Sequence, residues 1–508
     1  MKSDQIQQLS IEDYPKLPHV IKGVSPRFLR QNKVLPIELK DSILSIIIAD
    51  PDNTEAIEAL HVATGADIQV YAGNSADIDE YLAKFYEQGV SDMTKIIEDI
   101  NVQTTGFAGE EEENVSHLKG LASEAPIIKL VNLIISRALE NRTSDIHMEP
   151  YEDELKVRYR IDGVLHDIES TPGKLRAAIV SRVKIMANLN IAERRLPQDG
   201  RIKLRVKDRE IDIRVSTIPV LFGESVVMRI LDKESIVINL DILGFPEGII
   251  GEFKDLIEKP HGIILSTGPT GSGKTTTLYA ALDKINSPEK KIVTVEDPVE
   301  YQLKGINQIH VKPQIGLNFA NILRHIVRHD PDIIMVGEIR DIETAEIAIQ
   351  SALTGHLIFS TLHTNDAPGA ITRLLDMGVE NFLLSSTLRG VLAQRLVRVI
   401  CPHCKEIDHS GTDIEKLRLL GIKNVTTVYK GTGCEKCSNT GYYGRTGIFE
   451  LLTVDEEIKH LILNNAASNR IRAVAKEHGM KTLMEDGIDK VIAGITNLSE
   501  LFRVTQEI

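Results

Sequence analysis

The sequence predicts a multidomain α/β protein. Its 508 residues are enough for about three domains, at the usual one domain per 100 to 200 residues. From about residue 245 onward, short apolar runs alternate with helix-prone stretches, which is typical of a parallel sheet covered by helices. Hydrophobic residues make up 42% of the chain and charged residues 26%, as in globular proteins that fold in water.

Composition and periodicity divide this chain into successive parts. The first hundred residues mix short apolar runs with helix-like stretches, and a linker rich in Gly, Thr and Glu follows them. Strand-like alternation then predicts a second domain with a sheet and packed helices. The predicted parts are an N-terminal α/β domain at 1–100, an acidic linker at 101–118, a middle domain at 119–240, and a nucleotide-binding domain at 241–508 that includes a cysteine element at 395–445 and helices at 454–508.

A complete phosphate-binding loop follows the apolar run Ile263–Leu265. The loop reads Gly268-Pro269-Thr270-Gly271-Ser272-Gly273-Lys274-Thr275, and Thr276 continues into a helix-prone stretch. The glycines would let backbone N–H groups surround phosphates, Lys274 would add a positive charge, and the Thr275 hydroxyl could bind Mg²⁺. A chance glycine-rich turn does not explain the strand and helix on either side, so the sequence predicts binding of ATP or a similar triphosphate with Mg²⁺.

Three predicted strands are followed by polar residues that could act on that nucleotide. The strands precede Glu296, Glu338 and His363, and parallel strands bring their carboxyl ends to one edge of a sheet. We expect Glu296 to orient the attacking water and Glu338 to bind the metal and water, although the residues leave open which one is the general base. For Glu296 alone, an acidic turn after a buried strand is an equal alternative. His363 could form a hydrogen bond near the γ-phosphate.

All four cysteines fall in two Cys-x-x-Cys pairs. The pairs are Cys401 with Cys404 and Cys434 with Cys437. Each pair offers two sulfurs to one ion, and structural zinc needs four ligands, so the spacing predicts a tetrahedral zinc site. A redox pair is the alternative, but neither motif follows a thioredoxin-like strand.

The net charge and the lengths of the apolar runs disfavour some classes of protein. The formal net charge of −14 disfavours a protein whose main surface is a nucleic-acid groove. The sequence has no leader-like start and no apolar run near the roughly 18 residues of a membrane-spanning helix. We therefore expect a cytoplasmic protein that reaches a membrane only through partners.

Several motifs together resemble the ATPases of type II secretion and type IV pilus assembly. Thr294–Pro298, Ile334–Asp341 and His356–Ala367 are similar to the aspartate box, Walker B and histidine box of that family. The resemblance covers about residues 119–508. It implies a PAS-like middle domain, a RecA-like motor domain and a ring of six subunits. It also implies that Arg214 and Arg229 of the middle domain reach the phosphates, as catalytic positive charges.

The cysteine element and the N-terminal domain resemble the type II secretion and pilus-extension branches, not the retraction branch. The overall length and the single compact N-terminal region are more similar to the type II secretion enzyme. That resemblance implies docking of the N-terminal domain on an inner-membrane platform protein. Pilus extension is the first alternative. From other classes, we consider a nucleic-acid translocase and a scaffold that binds ATP without using its hydrolysis.

Overall fold

The computed structural model describes residues 8–9, 14, 24, 26–40, 43–86, 115–206, 209–232 and 239–505. These residues form sheets of three, six and seven strands and one two-stranded sheet. The predicted multidomain α/β fold class is confirmed. No helix in the described part of the chain combines the length and the hydropathy that crossing a bilayer requires.

The N-terminal sheet is small and mixed. Its elements in chain order are α1 (Pro26–Gln31), β1 (Val34–Lys40), β2 (Ile43–Ile48), α2 (Thr54–Thr64), β3 (Asp67–Ala72) and α3 (Ser75–Tyr86). The central strand β2 is antiparallel to β1 and parallel to β3. Successive residues Ile46 and Ile47 point to opposite faces of β2, and both are fully buried. Both faces of this strand are therefore covered.

The predicted acidic linker is described only at its end. Residues 101–114, with all four of the linker's consecutive glutamates, lie outside the described residues. Helix α4 (Val115–Leu121) occupies the last four positions of the predicted linker, so helical structure begins before the predicted start of the middle domain.

The middle domain is an antiparallel sheet with helices on one face. Its elements after α4 are α5 (Ala125–Glu140), β4 (Thr143–Pro150), β5 (Glu154–Ile161), β6 (Val164–Pro172), α6 (Arg176–Met186), β7 (Gln198–Val206), β8 (Arg209–Val220) and β9 (Gly223–Asp232). The strand order is β6-β5-β4-β9-β8-β7. Alternate residues of β5 are buried, and the Tyr159 hydroxyl donates a hydrogen bond to the Ile134 carbonyl of α5. The alternation predicted from the sequence thus buries one face against the helices.

A seven-stranded sheet forms the centre of the third domain. Its first elements are α7 (Glu247–Ile257), β10 (Gly262–Thr267), α8 (Lys274–Ile285), β11 (Ile292–Glu296), β12 (Asn307–His310), α9 (Phe319–Ile326), β13 (Ile333–Val336), α10 (Ile342–Leu353), β14 (Leu357–Leu362), α11 (Ala367–Asp376), α12 (Asn381–Thr387) and β15 (Leu388–Ile400). The six strands β12-β11-β13-β14-β10-β15 are parallel. Their carboxyl ends therefore share one edge of the sheet, where the phosphate loop, Glu296, Glu338 and His363 lie at or just beyond the strand ends.

The last part of the chain closes this sheet and adds helices. Its elements are β16 (Lys405–Ile407), α13 (Thr412–Leu419), β17 (Tyr429–Gly431), β18 (Tyr442–Thr453), α14 (Glu456–Leu463), α15 (Ser468–Glu477), α16 (Leu483–Ile492) and α17 (Leu498–Thr505). Strand β18 is antiparallel to β15 at the sheet edge. The cysteine element lies between these two strands, and the predicted C-terminal helices are confirmed.

Candidate functional site

The glycine-rich loop joins the end of β10 to the start of α8. Gly268, Gly271 and Gly273 have φ angles of 150°, 80° and 90°, which favour glycine. Gly268 also has no room for a side chain, because a Cβ there would lie 2.5 Å from the carbonyl oxygen of Gln394. Helix α8 begins at Lys274, so the unpaired N–H groups of its first turn lie at the loop and can bind an anion.

The Lys274 ammonium is enclosed by this loop. It donates hydrogen bonds to the carbonyl oxygens of Gly268 at 2.6 Å and Pro269 at 3.0 Å. Burial, and secondarily the positive charge of Arg395, lower the pKa of Lys274 to about 8, while Glu338 opposes the shift. A bound polyphosphate would favour the charged ammonium and relieve this repulsion.

Arg395 is a second positive charge beside the loop. It lies on β15 and is 5% exposed. Its Nη2 donates to the carbonyl oxygen and the Oδ1 of Asn365 at 3.1 and 3.2 Å, and its Nη1 is 3.0 Å from the position a Gly268 Cβ would occupy. The guanidinium therefore packs between the loop and the segment that follows His363.

Glu338 and His363 face Lys274 from neighbouring strands. The imidazole Nε2 of His363 lies 3.6 Å from Oε2 of Glu338, and Oε1 of Glu338 pairs with Nη2 of Arg340 at 2.5 Å. Burial lowers the pKa of His363, as does Lys274, while Glu338 opposes the shift. The structure thus brings Lys274, Glu338 and His363 together, and the lowered pKa of His363 favours the neutral imidazole.

Glu296 lies in a more enclosed environment at the end of β11. It is 3% exposed. Oε1 accepts hydrogen bonds from the Thr294 hydroxyl at 2.5 Å and from Nε2 of Gln308 at 3.2 Å, and Oε2 accepts one from the Tyr279 hydroxyl. Burial, and the charge of Glu296, raise the pKa of Tyr279, so the phenol keeps its proton. Both carboxylate oxygens of Glu296 are thereby engaged.

Arg214 and Arg229 lie on adjacent strands of the middle sheet. They are directly paired across β8 and β9. Arg214 donates to the Val299 carbonyl at 3.1 Å and pairs with Glu300 at 3.3 Å, whereas Arg229 bonds Asp145 at 2.8 Å with 56% of its side chain exposed. In the described residues these contacts link Arg214 to the turn after Glu296, and none links either arginine to the phosphate loop.

The four cysteine sulfurs converge on one point. All lie within 4.8 Å of one another, and the neighbouring pairs Cys401–Cys434, Cys404–Cys437 and Cys434–Cys437 are 3.8, 3.9 and 3.7 Å apart. None forms a disulfide. Burial raises the pKa of Cys404 to about 12. For Cys437, burial acts to raise the pKa, but backbone hydrogen bonds from Cys434 and Gly441, together with hydrogen bonds from the thiols of Cys434 and Cys404, lower it to about 7. Four thiols at such separations suit a tetrahedral metal ion.

Three site residues were not predicted from the sequence: Tyr279, Gln308 and Arg395. Each of them packs against a site residue that belongs to a different strand, helix or loop. A usable signal exists only for Arg395, because the polar pair Gln394-Arg395 interrupts a strand that is otherwise buried and apolar in its middle. Such a charge in a central strand is rare without a partner or a function.

Two family descriptions match the chain. The model described as "Type II/IV secretion system protein" matches residues 120–503, and the one described as "MshEN domain" matches residues 5–92. Together they cover the middle, third and N-terminal parts of the fold.

Named relatives are similar over nearly the whole chain. The type II secretion system protein E of Xanthomonas campestris pv. campestris is 52% identical over 97% of this chain and 86% of its own length. The type IV pilus assembly ATPase PilB of Myxococcus xanthus is 43% identical over 98% of this chain and 88% of its own. Among solved structures, the Yersinia pseudotuberculosis ATPase DotB has a TM-score of 0.57 at 20% identity, covering 75% of this chain and 94% of that one. That likeness is one of fold.

Proposed function

The chain belongs to the type II/IV secretion system protein family, and on that premise we propose that it is a Mg²⁺-dependent ATPase that powers pseudopilus assembly and protein export in type II secretion. The observation that carries this proposal is the convergence of Lys274, Glu338 and His363 at one phosphate-binding loop. A loop that only bound nucleotide could use a carboxylate to hold Mg²⁺, but it would need no imidazole beside that carboxylate.

We assign separate roles to the two carboxylates. Lys274 and the amides of the loop would hold the phosphates, and Thr275 with Glu338 would hold Mg²⁺, which neutralises phosphate charge. Glu338 contacts the side chains of Arg340 and His363. Both can move away, which makes the Glu338 carboxylate available to the metal and water. Glu296 is fully engaged by three donors, so its role is to shape the edge where water is oriented. Glu338 is then the carboxylate that would contact the metal and water.

Arg214 and Arg229 would act on the phosphates when the middle domain closes. Arg214 already contacts the turn that follows Glu296. The exposed part of the Arg229 side chain can reach a phosphate without disturbing the buried core of the middle domain. A permanently charged guanidinium stabilises charge that develops in phosphoryl transfer. In a homo-hexamer, the middle domains of the six subunits would close one after another around the ring.

The remaining parts fit an assembly motor at the inner membrane. Zn²⁺ would be held by Cys401, Cys404, Cys434 and Cys437, whose converging sulfurs support four-fold thiolate binding. The N-terminal domain, which matches the MshEN description, would dock on an inner-membrane platform protein and leave the chain peripheral on the cytoplasmic side.

Type IV pilus extension is the second candidate, supported by the 43% identity to a pilus assembly ATPase. The two functions differ in what a cell lacking the chain loses. Loss of an exported enzyme without loss of surface pili would favour secretion, and the reverse would favour extension.

The ATPase proposal is tested by restoring such a cell with full-length variants. We expect Lys274→Ala and Glu338→Gln to abolish both ATP turnover and export, while Glu346→Gln, an exposed glutamate on α10, restores both. If Glu338→Gln exports normally without turnover while Lys274→Ala does not export, nucleotide binding alone is the function and the motor proposal is wrong.

A further inference from the structure

The residues that follow His363 connect the phosphate loop to other parts of the domain. The backbone N–H of Thr364 donates to the Thr267 hydroxyl at 2.9 Å, and the two hydroxyls are 2.7 Å apart. Asn365 accepts two hydrogen bonds from Arg395. On this side, the segment is therefore tied to the end of β10 and to the guanidinium beside the loop.

Asp366 ties the same segment to the C-terminal helices. One carboxylate oxygen accepts the backbone N–H of Gly369 at 2.7 Å and so caps α11. The other accepts a charged hydrogen bond from Nη2 of Arg472 on α15. The side chains of Asp366 and Arg472 are 14% and 31% exposed, so solvent screens this pair only in part.

Glu450 adds a second connection from β18. It is 2% exposed. Its Oε1 accepts the backbone N–H of Ala367 at 2.8 Å, and its Oε2 accepts that of Leu483 at 3.4 Å. One buried carboxylate thus joins the first amides of α11 and α16. Asp366 and Arg472 both act on the charge of Glu450, so the three side chains form one electrostatic cluster.

We propose that Arg472 is a positioning residue for ATP hydrolysis, which acts through Asp366 to hold His363 against Glu338. This inference rests on the proposed ATPase function. Only three residues, 364–366, separate His363 from the start of α11, so a shift of this anchored end reaches His363 through a short segment. Misplacement of a reacting group by about 1 Å can lower a rate by up to about 10²-fold.

The proposal is tested with full-length protein carrying single substitutions on each side of the ion pair. Asp366→Asn removes the charge but keeps the helix cap, because asparagine also accepts the Gly369 N–H. Arg472→Gln removes the other partner, Arg472→Lys restores a positive charge, and Arg470→Gln is the matched control, since Arg470 is exposed on the same helix. The readouts are kcat for ATP, the Kd of a non-hydrolysable ATP analogue, and Tm.

We expect Asp366→Asn and Arg472→Gln to lower kcat by about tenfold each while the analogue Kd changes less than about twofold. The double variant should be no worse than either single one, because both break the same contact, and Arg472→Lys should recover part of kcat. An unchanged kcat in Asp366→Asn, or equal losses in kcat and analogue binding, would overturn the proposal. If the wild-type protein turns over ATP no faster than Lys274→Ala, the proposed function itself fails, which is a separate outcome.

Discussion

The imidazole Nε2 of His363 lies 3.6 Å from Oε2 of Glu338, and the two residues follow β14 and β13, which lie side by side on one side of the strand that leads into the phosphate loop. Neither residue is near the loop in sequence. The contact exists because β13 and β14 are parallel neighbours, and β14 in turn pairs with β10. The sheet therefore assembles a nucleotide site from three separate strand ends.

Tyr279→Phe is expected to destabilise the protein. The Tyr279 hydroxyl donates to Glu296, which is buried, and leaving a buried carboxylate short of a donor costs about 1–3 kcal/mol. Chemical denaturation of the purified chain measures this loss. Tyr151→Phe is the control, because that hydroxyl bonds Glu149 at an exposed position. Equal effects of the two substitutions would show that the buried bond contributes nothing.

Local motifs explain what could be predicted from the sequence. The loop at Gly268–Thr275 and the two cysteine pairs are each defined by short spacing, and alternation located four of the six strands of the middle sheet, β5 to β8. The shared edge of the parallel strands could be predicted, but the particular side-chain contacts between distant residues could not, because they depend on packing. Arg214 meets Val299 across 85 positions, and Arg395 meets Asn365 only because β15 passes beside the loop.

Arg214→Gln is expected to reduce ATP turnover by at least about tenfold, since a guanidinium stabilises the charge that develops on transferring phosphate. Arg214→Lys should recover little, because an ammonium lacks the planar fork. Steady-state kinetics of the full-length chain give the comparison, with Lys203→Gln as the control at an exposed position of the neighbouring strand. Wild-type turnover in Arg214→Gln would remove this arginine from the site.

Substitution of Cys434→Ser is expected to release bound metal. Purification under reducing, chelator-free conditions should yield about one zinc per chain for the natural sequence, because four thiolates complete a tetrahedral site, and clearly less for the variant. Elemental analysis measures the content, and a lower Tm should accompany its loss. The assignment would be contradicted if the natural protein contained no zinc and its Tm equalled that of Cys434→Ser.

Glu500 makes a pH-dependent contribution to stability. Although burial acts to raise its pKa, hydrogen bonds from Arg503 and Arg398 lower it to about 2. A lowered pKa stabilises the folded state above the unfolded value of about 4.3, and this stabilisation disappears as the pH falls through about 2.

Glu500→Gln should therefore lose about 3 kcal/mol near pH 7, and the difference from the natural sequence should shrink between about pH 4 and pH 2. Denaturation at pH 7, 4 and 3 measures the difference, with the exposed Glu477→Gln as the control. A difference that stays constant over this range would show that the ion pairs do not stabilise the fold.

The central claim is that this chain hydrolyses ATP with Glu338 beside the reacting phosphate. The most direct test compares kcat for ATP with the Kd of a fluorescent, non-hydrolysable ATP analogue in Glu338→Gln and in the natural sequence. We predict that kcat falls by about 10²-fold or more while the Kd changes little, because the loop and Lys274 still bind the phosphates. An unchanged kcat in Glu338→Gln would contradict the account.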